Sequence, residues 1–224
     1  VVAGRSYCPK CKTQISWYDN IPILSYLFIQ GKCRKCKKEI SIQYLIVELL
    51  SVLSFVVAYF FYGITITTLL FIILALTFII IFFIDLKHYI IPNSLTFPLM
   101  FIGFVKSFDP NLNELFPNYI NSLIGGVSGY GIIWAIVFIY KILRNKEGMG
   151  LGDAKLLSAI GFWFGWIAIP FIMFLSSVIA LISVVPSLLK NSKTMSSQIP
   201  FGPYIILGTL VYLFFENSFK SLVF

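Results

Sequence analysis

Two aspartates stand at the borders of long apolar stretches of the chain. Asp85 ends the run 69–84, which is apolar apart from Thr77, and Asp153 closes the Gly-Leu-Gly-Asp motif of residues 150–153, where another apolar segment begins. A charged side chain in a membrane segment costs free energy, so its presence indicates a structural or functional role. When two carboxyl groups share one site, they cannot both ionise easily, and they divide into an acid and a base.

An acid and a base of this kind can hydrolyse a peptide bond with an activated water. The ionised carboxylate takes a proton from the water, and the protonated one polarises the substrate carbonyl. Gly150 and Gly152 favour this role for Asp153, since glycine lets a backbone and a substrate approach closely. The only histidine is His88, and no serine or cysteine has an apparent histidine partner. The alternative is that each aspartate caps a helix or lies at the membrane surface.

The four cysteines form two C-x-x-C pairs, Cys8 with Cys11 and Cys33 with Cys36. This spacing lets both thiolates of a pair reach one metal ion, and two pairs complete a tetrahedral zinc site. Such a closed site stabilises a fold and leaves no coordination position for catalysis. Disulfides, redox chemistry, or neither are the alternatives, and a cytoplasmic location favours the metal because thiols stay reduced there.

The composition is that of a membrane protein. Hydrophobic residues make up 58% of the 224 residues and charged residues 12%, whereas soluble domains carry about 25% charged residues. We predict an all-α, multi-pass fold in which residues 1–42 form a four-cysteine domain and residues 43–224 a transmembrane domain. Seven apolar segments are predicted to be membrane helices: 43–62, 65–85, 95–106, 119–140, 154–169, 171–189 and 203–219.

Proline and glycine positions predict where these helices break and where they touch. Pro170 separates the fifth and sixth segments, which form either a tight hairpin or one kinked unit. Gly125 and Gly129 are four residues apart, as are Gly161 and Gly165. This spacing either lets two membrane helices pack closely or arises by chance.

The net charge of +8 is distributed in a way that argues against nucleic acid as a partner. Nearly half of the lysines and arginines precede the first apolar segment, and others cluster at 141–146 and 190–193. Such clusters are typical of cytoplasmic loops, and they also attract anionic lipid headgroups. The resulting topology places Asp85 and Asp153 at the same cytoplasmic edge, where they can meet, and leaves Lys106 on the other side.

Taken together, these motifs resemble the bacterial type 4 prepilin peptidase family, which belongs to the GxGD intramembrane aspartic peptidases. The resemblance runs over nearly the whole chain and depends on several motifs in a fixed order. They are the two C-x-x-C pairs, Trp17-Tyr18-Asp19-Asn20-Ile21-Pro22, Val47-Glu48-Leu49 within 44–50, Ile84-Asp85 with Ile91-Pro92-Asn93, Gly150-Leu151-Gly152-Asp153-Ala154-Lys155 and Pro200-Phe201-Gly202-Pro203.

The resemblance implies an inner-membrane enzyme of about eight helices with its cysteine domain and active site on the cytoplasmic side. It implies that Asp85 and Asp153 are the catalytic pair, which removes the basic leader of type IV pilin-like precursors after a glycine. A membrane helix usually precedes the cysteine domain in this family, so we expect an eighth span upstream of Val1.

Many members of the family also methylate the new N-terminus with S-adenosylmethionine. The residues linked to methylation match Gly31, Lys32 and Glu48 of this chain. No glycine-rich motif for a methyl donor is visible, so the pattern alone does not predict this activity.

Two other classes of function compete with a peptidase. In a proton-coupled transporter, Asp85 and Asp153 would carry protons, and broken helices near Pro170 and Pro186 would form the substrate site. In an assembly platform of a pilus or secretion system, the zinc domain would serve as a docking surface.

Overall fold

The computed structural model describes residues 7–8, 10–112, 116–144, 150–189 and 199–223. Within these ranges the regular elements are helical, with only isolated bridging pairs of extended residues. The α-helices are α1 (Leu24–Phe28), α2 (Ile42–Tyr62), α3 (Ile66–His88), α4 (Asn93–Val105), α5 (Tyr119–Arg144), α6 (Leu151–Phe164), α7 (Ala168–Leu189) and α8 (Gly202–Val223). Helices α2 to α8 coincide with the seven predicted apolar segments, which confirms the all-α fold class.

Among the described residues, four helical stretches are long and apolar enough to cross a membrane: Ile42–Tyr62, Ile66–His88, Tyr119–Leu143 and Ala168–Val185. A helix rises about 1.5 Å per residue, and the hydrocarbon core is about 30 Å thick, so about 20 residues suffice. Helices α4 and α6 have 13 and 14 residues and are too short to cross alone. The protein is therefore a multi-pass membrane protein with additional short apolar helices.

The chain divides into two compact units, Val1–Ile79 and Ile80–Phe224, with the boundary inside α3. The first unit contains the cysteine motifs, α1 and α2. In this unit Tyr62 at the end of α2 stacks on Phe71 of α3, with ring centroids 5.0 Å apart.

The second unit is built around α6, which is buried along most of its length. Polar side chains tie α6 to its neighbour α5 through backbone carbonyls. The Ser158 hydroxyl donates to the Gly126 carbonyl at 2.8 Å, and the Ser122 hydroxyl donates to the Phe162 carbonyl at 2.7 Å. Interhelical bonds of this kind hold membrane helices together because lipid tails supply no hydrophobic force between them.

Glycines allow α5 and α6 to touch backbone to backbone. A Cβ on Gly125 would overlap the Gly161 carbonyl, and a Cβ on Gly129 would lie 2.7 Å from the Leu157 carbonyl. The close packing predicted from the spacing is therefore real for Gly125, Gly129 and Gly161. Gly165 has a φ of +79° and ends α6.

The break between the fifth and sixth apolar segments lies at Gly165 and not at Pro170, so this detail of the sequence prediction was wrong. Helix α6 ends at Phe164, and α7 begins at Ala168. Pro170 consequently lies in the first turn of α7, where a missing N–H costs nothing because the first N–H groups of a helix have no intrahelical partner.

Lys106 is buried at the far end of α6. Its Nζ donates to the Trp163 carbonyl at 3.1 Å and lies 3.6 Å from the centroid of the Phe116 ring. A cation at this position satisfies one of the last carbonyls of α6 and complements the negative end of the helix dipole.

Exchange of Gly125 for alanine is expected to destabilise the second unit by about 1–3 kcal/mol, because the added methyl group meets backbone that cannot rotate away. Gly131 lies on the same helix, and a Cβ there would meet nothing within 4 Å. Gly131→Ala is therefore the matched control and should be neutral or stabilising by up to about 1 kcal/mol. Thermal unfolding in detergent compares the two variants, and equal melting temperatures would contradict the packing described here.

Candidate active site and metal centre

Asp85 lies on the buried face of α3. Phe78, Ile81 and Asp85 are spaced by three and four residues, so they share one side of the helix, and their exposed fractions are 3%, 0% and 4%. The Asp85 side chain thus continues an apolar stripe into the protein interior. A carboxyl group in such a place needs a specific partner.

Asp153 lies in the first turn of α6, which begins at Leu151 and is preceded by Gly150 as its N-terminal cap. Its side chain is also buried, with 8% of the residue exposed. Gly152, the neighbour of Asp153, and Gly202, whose N–H donates to Asp85, both lie against the side chain of Ile91. The structure therefore brings together the two aspartates that the sequence analysis paired.

The backbone of Gly202 holds the carboxyl group of Asp85. The Gly202 N–H, at the first residue of α8, donates to Oδ2 of Asp85 at 3.0 Å. A Cβ on Gly202 would lie 2.7 Å from the same oxygen, so only glycine brings this N–H so close. The Pro-Phe-Gly-Pro motif predicted no role for Gly202 from the sequence, because a backbone N–H donor does not depend on the chemistry of a side chain.

Ile91 forms an apolar wall between the two glycine segments of the site. Its side chain would lie 3.2 Å from a Cβ on Gly152 and 3.0 Å from a Cβ on Gly202. Gly152 precedes Asp153, and Gly202 contacts Asp85, so Ile91 packs against the backbone beside both aspartates. Apolar packing of this kind excludes water from the carboxyl groups and strengthens their mutual interaction.

A polar contact joins the helices that begin at this site. The Nζ of Lys155 on α6 donates to Oδ1 of Asn93 on α4 at 2.8 Å, and it also lies 5.7 Å from the centroid of the Phe97 ring. The Ile-Pro-Asn and Gly-Leu-Gly-Asp-Ala-Lys motifs are thus in direct contact. This contact fixes the start of α4, and with it Ile91, relative to Asp153.

The arrangement supplies the parts that water-mediated peptide hydrolysis requires. Two interacting carboxyl groups divide the roles of base and acid between them. The Gly202 N–H fixes the orientation of one of them. Gly150 and Gly152 carry no side chains at the start of α6, and a Cβ on Gly150 would meet nothing closer than 3.9 Å, so the space beside this backbone is open.

The four cysteines form a second cluster, within the first unit. Their sulfur atoms all lie within 4.8 Å of one another, and the Cys8–Cys36 and Cys11–Cys33 sulfur distances are both 3.9 Å. A tetrahedral zinc site with Zn–S bonds of about 2.3 Å places its sulfurs about 3.8 Å apart. The separation exceeds the S–S bond of about 2.05 Å in a disulfide, and the donor set therefore fits zinc.

The two C-x-x-C turns share one backbone pattern. Cys8 N–H donates to the Thr13 carbonyl and Lys12 N–H to the Cys8 carbonyl, each at 2.9 Å. The same two bonds recur between Cys33, Lys37 and Lys38 in the second turn. Paired turns of this shape present both sulfurs of a pair to one point.

The pKa shifts of the cysteine thiols are consistent with binding of a cation. Hydrogen bonds from the side chain and backbone of Thr13 lower the pKa of Cys11 to about 6, and the backbone N–H of Cys36 lowers the pKa of Cys33. Although the backbone N–H of Lys38 acts in the opposite direction, burial and the neighbouring thiols raise the pKa of Cys36 to about 11. The cluster cannot become fully anionic by itself, and a divalent cation removes this obstacle.

The residues linked to methylation are part of the hydrogen bonding of the same unit. Gly31 has a φ of +65°, its N–H donates to the Tyr26 carbonyl, and its own carbonyl accepts from Ile40 N–H. Oε2 of Glu48 accepts from the Ile23 N–H at 2.7 Å, while Lys32 is exposed. Both backbone groups of Gly31 thus already take part in hydrogen bonds of the domain, and these contacts by themselves do not define a binding site for a methyl donor.

Asp19, in the motif between the cysteine pairs, is engaged by an arginine. Its carboxylate accepts from Nε and Nη2 of Arg34 at 2.8–3.2 Å, and Arg34 also lies over the Tyr18 ring. This pair connects the segment 17–20 to the second C-x-x-C turn.

The fold and the site define a multi-pass α-helical membrane protein with a buried aspartate pair and a four-cysteine domain. The profile of the Bacterial Peptidase A24 N-terminal domain matches residues 1–62, and that of the Type IV leader peptidase family matches residues 72–185. The chain belongs to this peptidase family.

Relatives named prepilin leader peptidase/N-methyltransferase match almost the whole chain. The one from Aeromonas salmonicida is 37% identical over 97% of this chain and 74% of its own length. Those from Neisseria gonorrhoeae and Legionella pneumophila are 36% and 34% identical, and each match covers 96% of this chain and 73% of the relative. No solved structure gives a significant match.

Proposed function

We propose that this protein is an intramembrane aspartic endopeptidase that removes the leader from type IV pilin-like precursors by cutting after a glycine. The observation that carries the proposal is the buried pair Asp85 and Asp153, held beside the Gly202 N–H and the side chain of Ile91. The names of the relatives indicate the reaction and the substrate class.

The proposed reaction uses one proton shared by the carboxyl pair. The ionised carboxylate takes a proton from a water molecule, which attacks the carbonyl carbon of the scissile bond. The protonated carboxyl group gives its proton to the carbonyl oxygen, and a tetrahedral intermediate forms. The intermediate collapses as the first carboxyl group passes the proton taken from water to the leaving amine, and a hydroxyl of the intermediate returns a proton to the second carboxylate. Asp85 and Asp153 are the catalytic residues of this scheme, and Gly202 is a positioning residue.

The position of the site suits a substrate with a basic leader and an apolar helix. By the charge pattern of the loops, Asp85 and Asp153 lie at the cytoplasmic edge of the inner membrane. The leader would remain in the cytoplasm while the pilin helix lies in lipid, so the bond between them is at the depth of the aspartates.

The test is cleavage of a purified pilin precursor by the chain in liposomes, with the product identified by mass spectrometry. We expect a single cut after the glycine that ends the leader. A precursor in which leucine replaces that glycine is the matched control and should stay intact. An uncut normal precursor would favour the transporter, in which the same aspartates carry protons and no peptide bond breaks.

We further propose that Cys8, Cys11, Cys33 and Cys36 hold a structural zinc ion. The sulfur distances and the two equivalent turns support this assignment. The ion would fix the fold of the cysteine domain and take no part in hydrolysis, since four thiolates fill its coordination sphere.

Metal analysis of the purified chain should find one zinc ion per molecule. Cys36→Ser is expected to lose most of the zinc and to make the cysteine domain sensitive to proteolysis, since metal binding in such sites contributes about 10–16 kcal/mol to folding. Ser16→Ala, in the same domain, is the control that should keep the metal. Full zinc retention by Cys36→Ser would contradict the assignment.

N-methylation of the new N-terminus is proposed as a second activity on the names of the relatives. The methyl donor would be S-adenosylmethionine, which supplies an electrophilic methyl group to the amine. Transfer of a radiolabelled methyl group to a pre-cleaved pilin peptide tests this activity separately from cleavage. Absence of label in the presence of normal cleavage would restrict the protein to the peptidase reaction.

A further inference from the structure

Helix α1 exposes large apolar side chains although it belongs to a polar, basic domain. Leu24, Leu27 and Phe28 are 52%, 61% and 81% exposed. Their spacing of three and four residues places them on one side of the helix. A patch of this kind in a small domain marks a surface that contacts a membrane or another apolar partner.

A hydrogen bond fixes the depth of this helix relative to a membrane span. The Ile23 N–H, directly ahead of α1, donates to Glu48 of α2 at 2.7 Å. Glu48 is six residues beyond Ile42, where α2 begins, and six residues of helix rise about 9 Å. The start of α1 therefore lies beside α2 at the level of Glu48, which is about 9 Å along the helix axis from Ile42.

The length of α2 determines how deep the start of α1 lies in the membrane. Helix α2 has 21 residues, which correspond to about 31 Å and match the hydrocarbon thickness of about 30 Å. Its first residue thus lies near the hydrocarbon boundary, and α1 lies in the layer just inside it. Amphipathic helices that rest in the membrane interface are buried to about 5–10 Å, which is the same layer.

The charges of the domain are those of a surface that faces anionic headgroups. Its lysines are exposed, and they precede or follow α1 closely in the chain: Lys10, Lys12, Lys32, Lys35, Lys37 and Lys38. Basic residues near an anionic membrane surface are attracted to its headgroups. Apolar side chains on one helix of a domain with exposed lysines fit the boundary between acyl chains and phosphates.

We propose that α1 is an interfacial anchor, with Leu24, Leu27 and Phe28 inserted into the same leaflet that α2 enters. The anchor holds the cysteine domain flat against the membrane. It also gives Glu48, a carboxylate inside a span, a backbone N–H partner at a depth where water is scarce. This inference depends on α2 being a membrane span and not on the peptidase activity.

The test places an environment-sensitive fluorescent amino acid at Phe28 of the full chain in liposomes that contain anionic phospholipid. A second variant carries the probe at Leu24, and Gln14, an exposed polar position of the same domain, is the matched control. Lipids with a nitroxide near the headgroup end of the acyl chain quench any probe that reaches them. Zinc content of each variant reports that the domain is folded.

We expect a severalfold greater loss of fluorescence at Phe28 and Leu24 than at Gln14. Equal quenching at the three positions would show that α1 is no closer to lipid than Gln14, and it would overturn the proposal. This holds whether water or another protein covers α1. A photo-crosslinker at Phe28 that yields only protein adducts would overturn it as well. None of these results depends on cleavage, so failure of the anchor and failure of the proposed reaction are distinguishable.

Discussion

Replacement of Asp85 or Asp153 by asparagine is expected to abolish cleavage of a pilin precursor while the helices stay folded. Asparagine has the same shape as aspartate, and at position 85 its oxygen can still accept the Gly202 N–H. It can neither take a proton from water nor donate a carboxylic proton, so each exchange removes one half of the acid–base pair. A general acid or a general base typically raises the reaction rate by about 10²–10⁴-fold, so we expect the cleavage rate to fall by about 10⁴-fold in each variant.

The control for this prediction is Asp109→Asn. Asp109 belongs to the same unit, and its carboxylate accepts hydrogen bonds from Asn111 in the loop after α4. Because it is remote from the site in the chain and bonded locally, its exchange should leave cleavage unchanged. Rates from equal amounts of folded protein, checked by thermal unfolding, make the comparison. Substantial cleavage by either dyad variant would exclude the aspartyl mechanism.

Exchange of Gly202 for alanine is expected to lower the cleavage rate by about 10²-fold, because a misplacement of about 1 Å at a catalytic group can cost that much. The new methyl group would lie 2.7 Å from Oδ2 of Asp85 and 3.0 Å from Cδ1 of Ile91. The carboxyl group can rotate away, so the fold should survive while the acid–base pair loses its geometry.

A positioning role for Gly202 has its own signature. The loss should appear in kcat, with KM nearly unchanged, since the methyl group displaces a catalytic carboxyl and not the substrate. Gly131→Ala, at an open position of α5, controls for the added methyl group. A rise in KM at normal kcat, or a large fall in melting temperature, would show that Gly202 serves substrate binding or folding instead.

The long elements were predictable because run length alone determines a membrane helix. All seven apolar segments became helices, and family membership followed from motifs whose order is hard to meet by chance. The helix boundary at Gly165 was missed because Pro170 was taken as the end of the fifth apolar segment. The helix ends instead at a glycine that adopts a positive φ. Helix α1 is only five residues long, too short to produce a periodic pattern.

The chemistry of the site was more predictable than its geometry. Asp85 and Asp153 were identifiable because an acid in an apolar run is rare. Helix α3 is apolar on every side, so its sequence could not show that Asp85 shares the buried face with Ile81. The Gly202 N–H was invisible because its effect comes from a missing side chain, and the catalytic roles themselves stay predictions until activity is measured.

The most direct test of the central claim combines Asp85→Asn and Asp153→Asn in one chain. If the two aspartates act as one acid–base pair, the double variant should cleave as slowly as each single variant, since either exchange already disables the pair. Cleavage rates of the four proteins on one pilin precursor decide the question. A double variant whose loss is the product of the two single losses would show independent roles, and it would contradict the shared-proton mechanism.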